Sequence, residues 1–188
     1  MRSAKYRADI DGLRALAILG VLFYHLDITF FSGGFFGVDV FFVISGYLIT
    51  NLLKKEITSN TFSFAHFYSR RVRRLFPALI FVCTLSLVAA AYILTPHDLK
   101  RFGSEVTATI FAISNFYFLS ETGYFDTSAA MKPLIHSWSL SVEEQFYLFW
   151  PALVFLLVTK FKKKVILRSL FVVSGVTLAA SIIFKYYS

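Results

Sequence analysis

An all-α bundle of membrane-spanning helices is the fold this sequence predicts, and three observations predict it. Of its 188 residues, 57% are hydrophobic and 16% charged, whereas a soluble domain has about a quarter of its residues charged. The apolar residues come in runs of roughly 20, the length that crosses a ~30 Å hydrocarbon core. Between the runs, basic residues collect in blocks. In a soluble chain a net charge of +8 would point to nucleic acid. Here membrane orientation accounts for it, so membrane lipid and no nucleic acid is the expected partner. The 23 Phe and 10 Tyr suit lipid contact and interfacial belts, and the single Cys83 excludes an intrachain disulfide.

The expected architecture is about five spans plus one interfacial or re-entrant helix. The first span runs from about Leu13 to Phe31. It reads as an uncleaved span, because Asp9 and Asp11 interrupt its flank and no small-x-small cleavage site follows. The second runs from about Phe35 to Leu53. The third runs from about Pro77 to Thr95, with Pro77 placed to open a helix. The fourth covers about Leu140 to Thr159 and the fifth about Val165 to Tyr186. Charge decides the ambiguous stretch Phe102–Leu119, which is apolar but carries Ser104, Glu105, Thr107, Thr109, Ser114 and Asn115. Lys54, Lys55, Arg70, Arg71, Arg73 and Arg74 form one basic block, and Lys160, Lys162, Lys163, Lys164 and Arg168 form another. Both belong on the cytoplasmic side, which requires an even number of crossings between them. Phe102–Leu119 therefore should not cross, and the N-terminus should be cytoplasmic. With no long linker or repeat, residues 1–188 read as one membrane domain.

Ionisable groups inside spans are costly and mark candidate sites. Arg14 and His25 stand eleven residues apart on one helix face, about 16 Å along the axis. Arg14 could snorkel and pair with Asp11, and His25 could bond a neighbouring helix. Alternatively, His25 is a general base for a hydroxyl nucleophile, with Asp39, near the start of the returning span, as its orienting partner. Asp39 equally suits a helix N-terminus. In "RRVRRLFP", Arg70 with Arg73 and Arg71 with Arg74 are spaced three apart, so a helix would present adjacent guanidinium forks. These either anchor topology on anionic lipid or bind the phosphates of an acyl carrier. Ser45 and Gly46, mid-span, suggest close helix packing. "HSWSLSVEEQFYLFWP" is the densest polar patch, with Ser139 or Ser141 as a helix cap and Glu143 or Glu144 in the first turn. Trp138 and Tyr147 would lie near the interface, and His136, Trp138, Glu144 and Gln145 would crowd together. No metal-ligand spacing, glycine-rich phosphate loop or nucleophile elbow is present.

In four stretches, "YRADIDGLRALAILGVLFYH", "GGFFGVDVFFVISGYLI", "FYSRRVRRLFPAL" and "KPLIHSWSLSVEEQFYLFWPAL", the sequence resembles acyltransferase family 3. These are multi-pass bacterial inner-membrane enzymes that O-acylate, commonly O-acetylate, cell-surface polysaccharide and lipopolysaccharide. The resemblance puts the family's arginine–histidine motif on Arg14 and His25, with the histidine essential for transfer. Its paired arginines fall on Arg71 and Arg74, or on Arg70 and Arg73, in contact with acyl-CoA. Its Ser-Gly-Tyr stretch falls on Ser45, Gly46 and Tyr47, and its last motif falls on His136, Trp138, Ser139, Glu143, Glu144, Gln145 and Phe146 without assigned roles. It implies acyl-CoA, foremost acetyl-CoA, as donor substrate, a carbohydrate acceptor, and no bound cofactor or metal. Family members have roughly twice as many spans. A truncated or split product, or a second polypeptide completing the bundle, is therefore expected. Two other classes stay open: a proton-coupled transporter or export component using His25, Asp39 and Glu143, and an inactive remnant.

Overall fold

The computed structural model describes residues 7–121 and 132–160, so the fifth span and the basic residues Lys162, Lys163, Lys164 and Arg168 lie outside the described residues. Six α-helices and no strand occur among the described residues: α1 (Ala8–His25), α2 (Gly37–Thr58), α3 (Phe64–Ile93), α4 (Pro96–Ile110), α5 (Ser114–Ser120) and α6 (Ser137–Lys160). Three segments are long and apolar enough to cross a membrane, Gly34–Thr58, Phe64–Ile93 and Ser137–Lys160. The 18-residue α1 carries Asp9, Asp11 and Arg14, three charges where a spanning window of that length holds few.

Two short 3₁₀ turns, Thr29–Phe31 and Gly34–Phe36, return the chain from α1 to α2. The two helices meet where glycine lets backbones touch. A Cβ on Gly34 would stand 2.0 Å from the Gly20 carbonyl oxygen, and one on Gly37 would stand 2.4 Å from that of Ala17. In Ser45-Gly46, expected to mark the close packing, a Cβ on Gly46 would meet only Phe146, at 4.0 Å.

The third helix corrects the sequence reading. Pro77 does not open it but lies inside it. The Ser63 hydroxyl caps the start by accepting the His66 N–H. The turns before Pro77 are then held by the fully buried Phe67, which packs with Leu53, Tyr147 and Val154. Pro77 sacrifices one backbone hydrogen bond, a loss tolerated in spanning helices whose neighbours re-satisfy the freed group. Hydropathy alone marked where the apolar part begins, not where the helix does. Its 30 residues reach about 45 Å, so the basic turns extend beyond a ~30 Å core.

α2 and α6 run parallel. Ser45 bonds Glu143, and two turns on Trp150 Nε1–H donates to Thr50 Oγ1 at 2.8 Å. α3 runs antiparallel to both, with Tyr68 O–H donating to the Leu148 carbonyl at 2.8 Å. Two apolar clusters stack along the bundle. One, at the end carrying Lys54, Lys55 and Lys160, contains Leu53, Phe67, Tyr147 and Val154. The other, at the opposite end, joins Leu79 and Cys83 of α3 to Phe102, Phe118 and Leu134.

Phe102–Leu119 is divided between two helices. Thr95 caps α4 by accepting the Asp98 N–H, with Pro96 in its first turn. The chain breaks at Ala112, which adopts φ 55°, left-handed backbone that costs a non-glycine residue about 1–2 kcal/mol. This break is fastened to α6. Gln145 Nε2 donates to the Ala112 carbonyl at 2.7 Å and to Asn115 Oδ1 at 2.9 Å. Gln145 lies eight residues into α6, about 12 Å along its axis. The break therefore sits at the depth of a spanning helix, and non-helical backbone is tolerated there only when protein covers it. Neither α4 nor α5 is long enough to cross, as the charge argument requires.

Candidate active site

The end of α1, the start of α2 and the entrance to α6 border an open-sided cavity of ≈ 660 Å³, on which His25 and His136 are exposed. Ile18, Val21, Val38 and Phe41 give it apolar walls, and His25, His136, Ser139 and Glu143 supply its polar groups. Ring centroids of His25 and His136 stand 4.7 Å apart, edge to face. Trp138 faces Phe42 across the same space at 6.3 Å. Residues 111 positions apart thus form one site.

His25 is oriented by its own helix. Its Nδ1 lies 2.8 Å from the Val21 carbonyl oxygen, which can only accept. The proton is therefore on Nδ1, and in the neutral ring Nε2 carries the lone pair. Asp39, the candidate partner for His25, is exposed in the first turn of α2, the helix-N-terminal place of its other reading, and makes no hydrogen bond or ion pair with His25 among the described residues. Arg14 lies within 3.7 Å of Asp11, which is the interfacial pairing of the simpler reading.

His136 is held from below. Leu134 is buried, and its N–H donates to the buried Glu105 carboxylate at 3.4 Å. Hydroxyls of Thr109, Ser137, Ser114 and Ser141 then join α4, α5 and α6 through contacts of 2.8, 3.0 and 2.7 Å. Ser141 is spent in this chain and Ser139 bonds back to the His136 carbonyl; both lie inside α6 and neither caps it. Partial desolvation, followed by repulsion from His25 when both rings are protonated, pushes the His136 imidazole below its ordinary range.

Glu143 accepts through a single oxygen. Ser45 Oγ–H donates to its Oε1 at 2.7 Å, and the Tyr147 hydroxyl donates to the same atom. Tyr147, expected at the interface, is buried. Its spacing of four from Glu143 is the helical-neighbour signal that could have revealed the pair.

Behind α6 lies a second cavity of ≈ 320 Å³, bounded by α3 and the α4–α5 break and lined by Arg71, Tyr147, Glu144, Phe111 and Ala112. The Arg71 guanidinium carbon lies 5.5 Å from the ring centroids of both Phe67 and Tyr147. Arg71 Nε and Glu144 Oε1 are buried without a hydrogen-bond partner among the described residues. The four arginines are thus not equivalent forks. Arg70 is engaged by Glu56 at 2.9 and 3.1 Å and by His66 at 2.8 Å, whereas Arg73 and Arg74 are exposed. Nor do the polar residues of the last motif form one cluster: His136, Trp138, Ser139 and Glu143 line the first cavity, Glu144 the second, and Gln145 the α4–α5 contact. No group of three or more His, Cys, Asp or Glu is placed to hold a metal ion among the described residues.

The paired imidazoles and the fixed carboxylate thus share one cavity of an all-helical membrane chain, and sequence comparison gives that chain its class. Residues 7–188 match the family described as an acyltransferase domain, and the chain belongs to that acyltransferase family. It is 40% identical over 187 residues to O-acetyltransferase OatA of Staphylococcus aureus (strain NCTC 8325 / PS 47), covering 99% of this chain and 31% of that protein. It is 46% identical over 158 residues to peptidoglycan O-acetyltransferase OatA of Listeria monocytogenes serovar 1/2a (strain ATCC BAA-679 / EGD-e), covering 83% of this chain and 25% of that protein. The chain spans about a third or less of the length of these curated relatives. No solved structure matches it.

Proposed function

We propose that this chain carries the transfer site of a membrane O-acetyltransferase, moving an acetyl group from acetyl-CoA to a sugar hydroxyl of a cell-wall glycan. The names of the two relatives support acetyl as the group, and the Listeria protein's name favours peptidoglycan over lipopolysaccharide as acceptor. One observation carries the reading: His25, its Nδ1 engaged by the Val21 carbonyl and its Nε2 left as the acceptor, lines a cavity large enough for a sugar together with His136 and Glu143.

In the proposed reaction His25 Nε2 takes the proton of the sugar hydroxyl while its oxygen attacks the thioester carbonyl. The tetrahedral adduct collapses, the carbon–sulfur bond breaks, and the proton leaves with the coenzyme A thiolate. Arg71, Arg73 and Arg74 are the guanidinium groups available to donor phosphates; Arg70 is occupied by Glu56. The donor enters from the basic, cytoplasmic end and the acceptor from the opposite side, with the N-terminus cytoplasmic. A proton relay through His25, Asp39 and Glu143 has less support, because Asp39 is not among the residues lining the cavity.

The test follows labelled acetyl from acetyl-CoA into cell-wall glycan in membranes carrying the chain or its His25→Ala variant at equal abundance. Incorporation by the former and its loss in the latter is expected. Equal incorporation by both would overturn the assignment of His25.

A further inference from the structure

Glu143 has an arrangement that transfer through His25 does not use. Both of its hydrogen bonds, from Ser45 and Tyr147, end on Oε1. Oε2 has no hydrogen-bond partner among the described residues, yet it is not sealed off, since Arg71 Nε and Glu144 Oε1 are the atoms found both buried and unpaired. The side chain lines the His25 cavity. Two donors on different helices therefore hold the carboxylate still, one oxygen being fixed and the other left unpaired on a side chain that lines the cavity. Tyr147 is itself held, with the Arg71 guanidinium against its ring. A carboxylate braced in this way is preorganised to accept a hydrogen bond from a ligand O–H.

We propose that Glu143 Oε2 binds a second hydroxyl of the acceptor sugar while the first hydroxyl gives its proton to His25. The inference rests on the acceptor reading above and deepens it. The preferred acceptor then carries a second free hydroxyl, on the reacting sugar or its linked neighbour, and Glu143 is a specificity-determining residue that touches the hydroxyl that does not react. Trp138 and Phe42 offer the same cavity an apolar wall for the sugar ring. Ser45 and Tyr147 act through Glu143 and are positioning residues.

The experiment measures binding of a tritiated peptidoglycan disaccharide and a panel of its monodeoxy analogues to the full chain in nanodiscs, without donor. A hydrogen bond to a charged group makes a difference of about 10- to 100-fold. The unaltered chain should bind one monodeoxy analogue more weakly by about that factor. Glu143→Gln should bind the parent disaccharide about tenfold or more weakly and lose its discrimination against that analogue. Tyr147→Phe keeps the carboxylate with one tether fewer, so it should show a smaller loss with discrimination retained. Parent binding unchanged in Glu143→Gln, or weakened with discrimination intact, would overturn this inference and leave the acceptor reading standing. No disaccharide binding by the unaltered chain would overturn both.

Discussion

Replacing Gly34 by alanine tests how the α1–α2 hairpin aims His25. The added Cβ would stand 2.0 Å from the Gly20 carbonyl oxygen, 2.8 Å from its carbonyl carbon and 2.9 Å from Tyr24 Cβ, against an ordinary contact of 3.4–4 Å. Relief demands about 1.4 Å of movement, and the first two obstacles are backbone, so α1 must shift as a body. His25 lies five residues beyond Gly20, about 7.5 Å along the helix, and shifts relative to His136. Overpacking of this kind costs about 1–3 kcal/mol, and misplacing a reacting group by about 1 Å can cost 10²-fold in rate. A Cβ on Gly12, in the same helix, would meet nothing within 4 Å; Gly12→Ala should instead add about 0.5–1 kcal/mol of helix stability. Both variants would be compared in nanodiscs by thermal unfolding and by acetyl transfer. The expected result is a less stable Gly34→Ala with transfer down about 100-fold, beside a fully active Gly12→Ala. A Gly34→Ala variant matching the unaltered chain in both readings would refute the argument from backbone contact.

Three further outcomes follow from the geometry. Arg71→Lys should raise the KM for the acyl donor by about tenfold, since it loses the planar group held against Phe67 and Tyr147; Arg70→Lys, which weakens the Glu56 pair, should leave that KM unchanged. Gln145→Leu strands the Ala112 carbonyl and should destabilise the α4–α5 contact by about 1–3 kcal/mol, read as faster amide exchange over residues 110–116. The Arg101 guanidinium, through its hydrogen bonds, holds the Glu121 carboxyl below its usual range. The stabilisation this contributes is complete above the unfolded carboxyl value near 4.3 and is lost as pH falls through the lower folded value. Acidification should therefore lower the amide protection factors in α5, taken relative to intrinsic exchange at each pH, and Glu121→Gln should abolish that pH dependence.

Hydropathy and charge made the helical class, the three long apolar segments and the non-crossing stretch legible, because each is written in residue type along a contiguous run. The same is true of the spacing that puts Arg14 and His25 on α1. What could not be read there depends on partners distant in the chain. Pro77 looked like a helix start because local preference favours it there, whereas Phe67 packing on Leu53 and Tyr147 extends α3 upstream. Ser45-Gly46 carried the small-residue signal, yet Gly34 and Gly37 make the close approach, since only the hairpin geometry decides which glycine faces a backbone. The four arginines look alike in sequence and are separated by what surrounds them: Glu56 for Arg70, two aromatic rings for Arg71. His136 had a motif but no partner until α6 was placed against α1.

The most direct test of the central claim is a stoichiometry. Purified chain in nanodiscs would be given acetyl-labelled coenzyme A thioester and a glycan acceptor, with labelled ester and released thiol counted together. A His25→Asn variant would be run alongside. One thiol per sugar ester is expected, with a loss of about 10²–10⁴-fold in the variant. Equal rates in the two chains, or thiol released without ester formed, would contradict that claim.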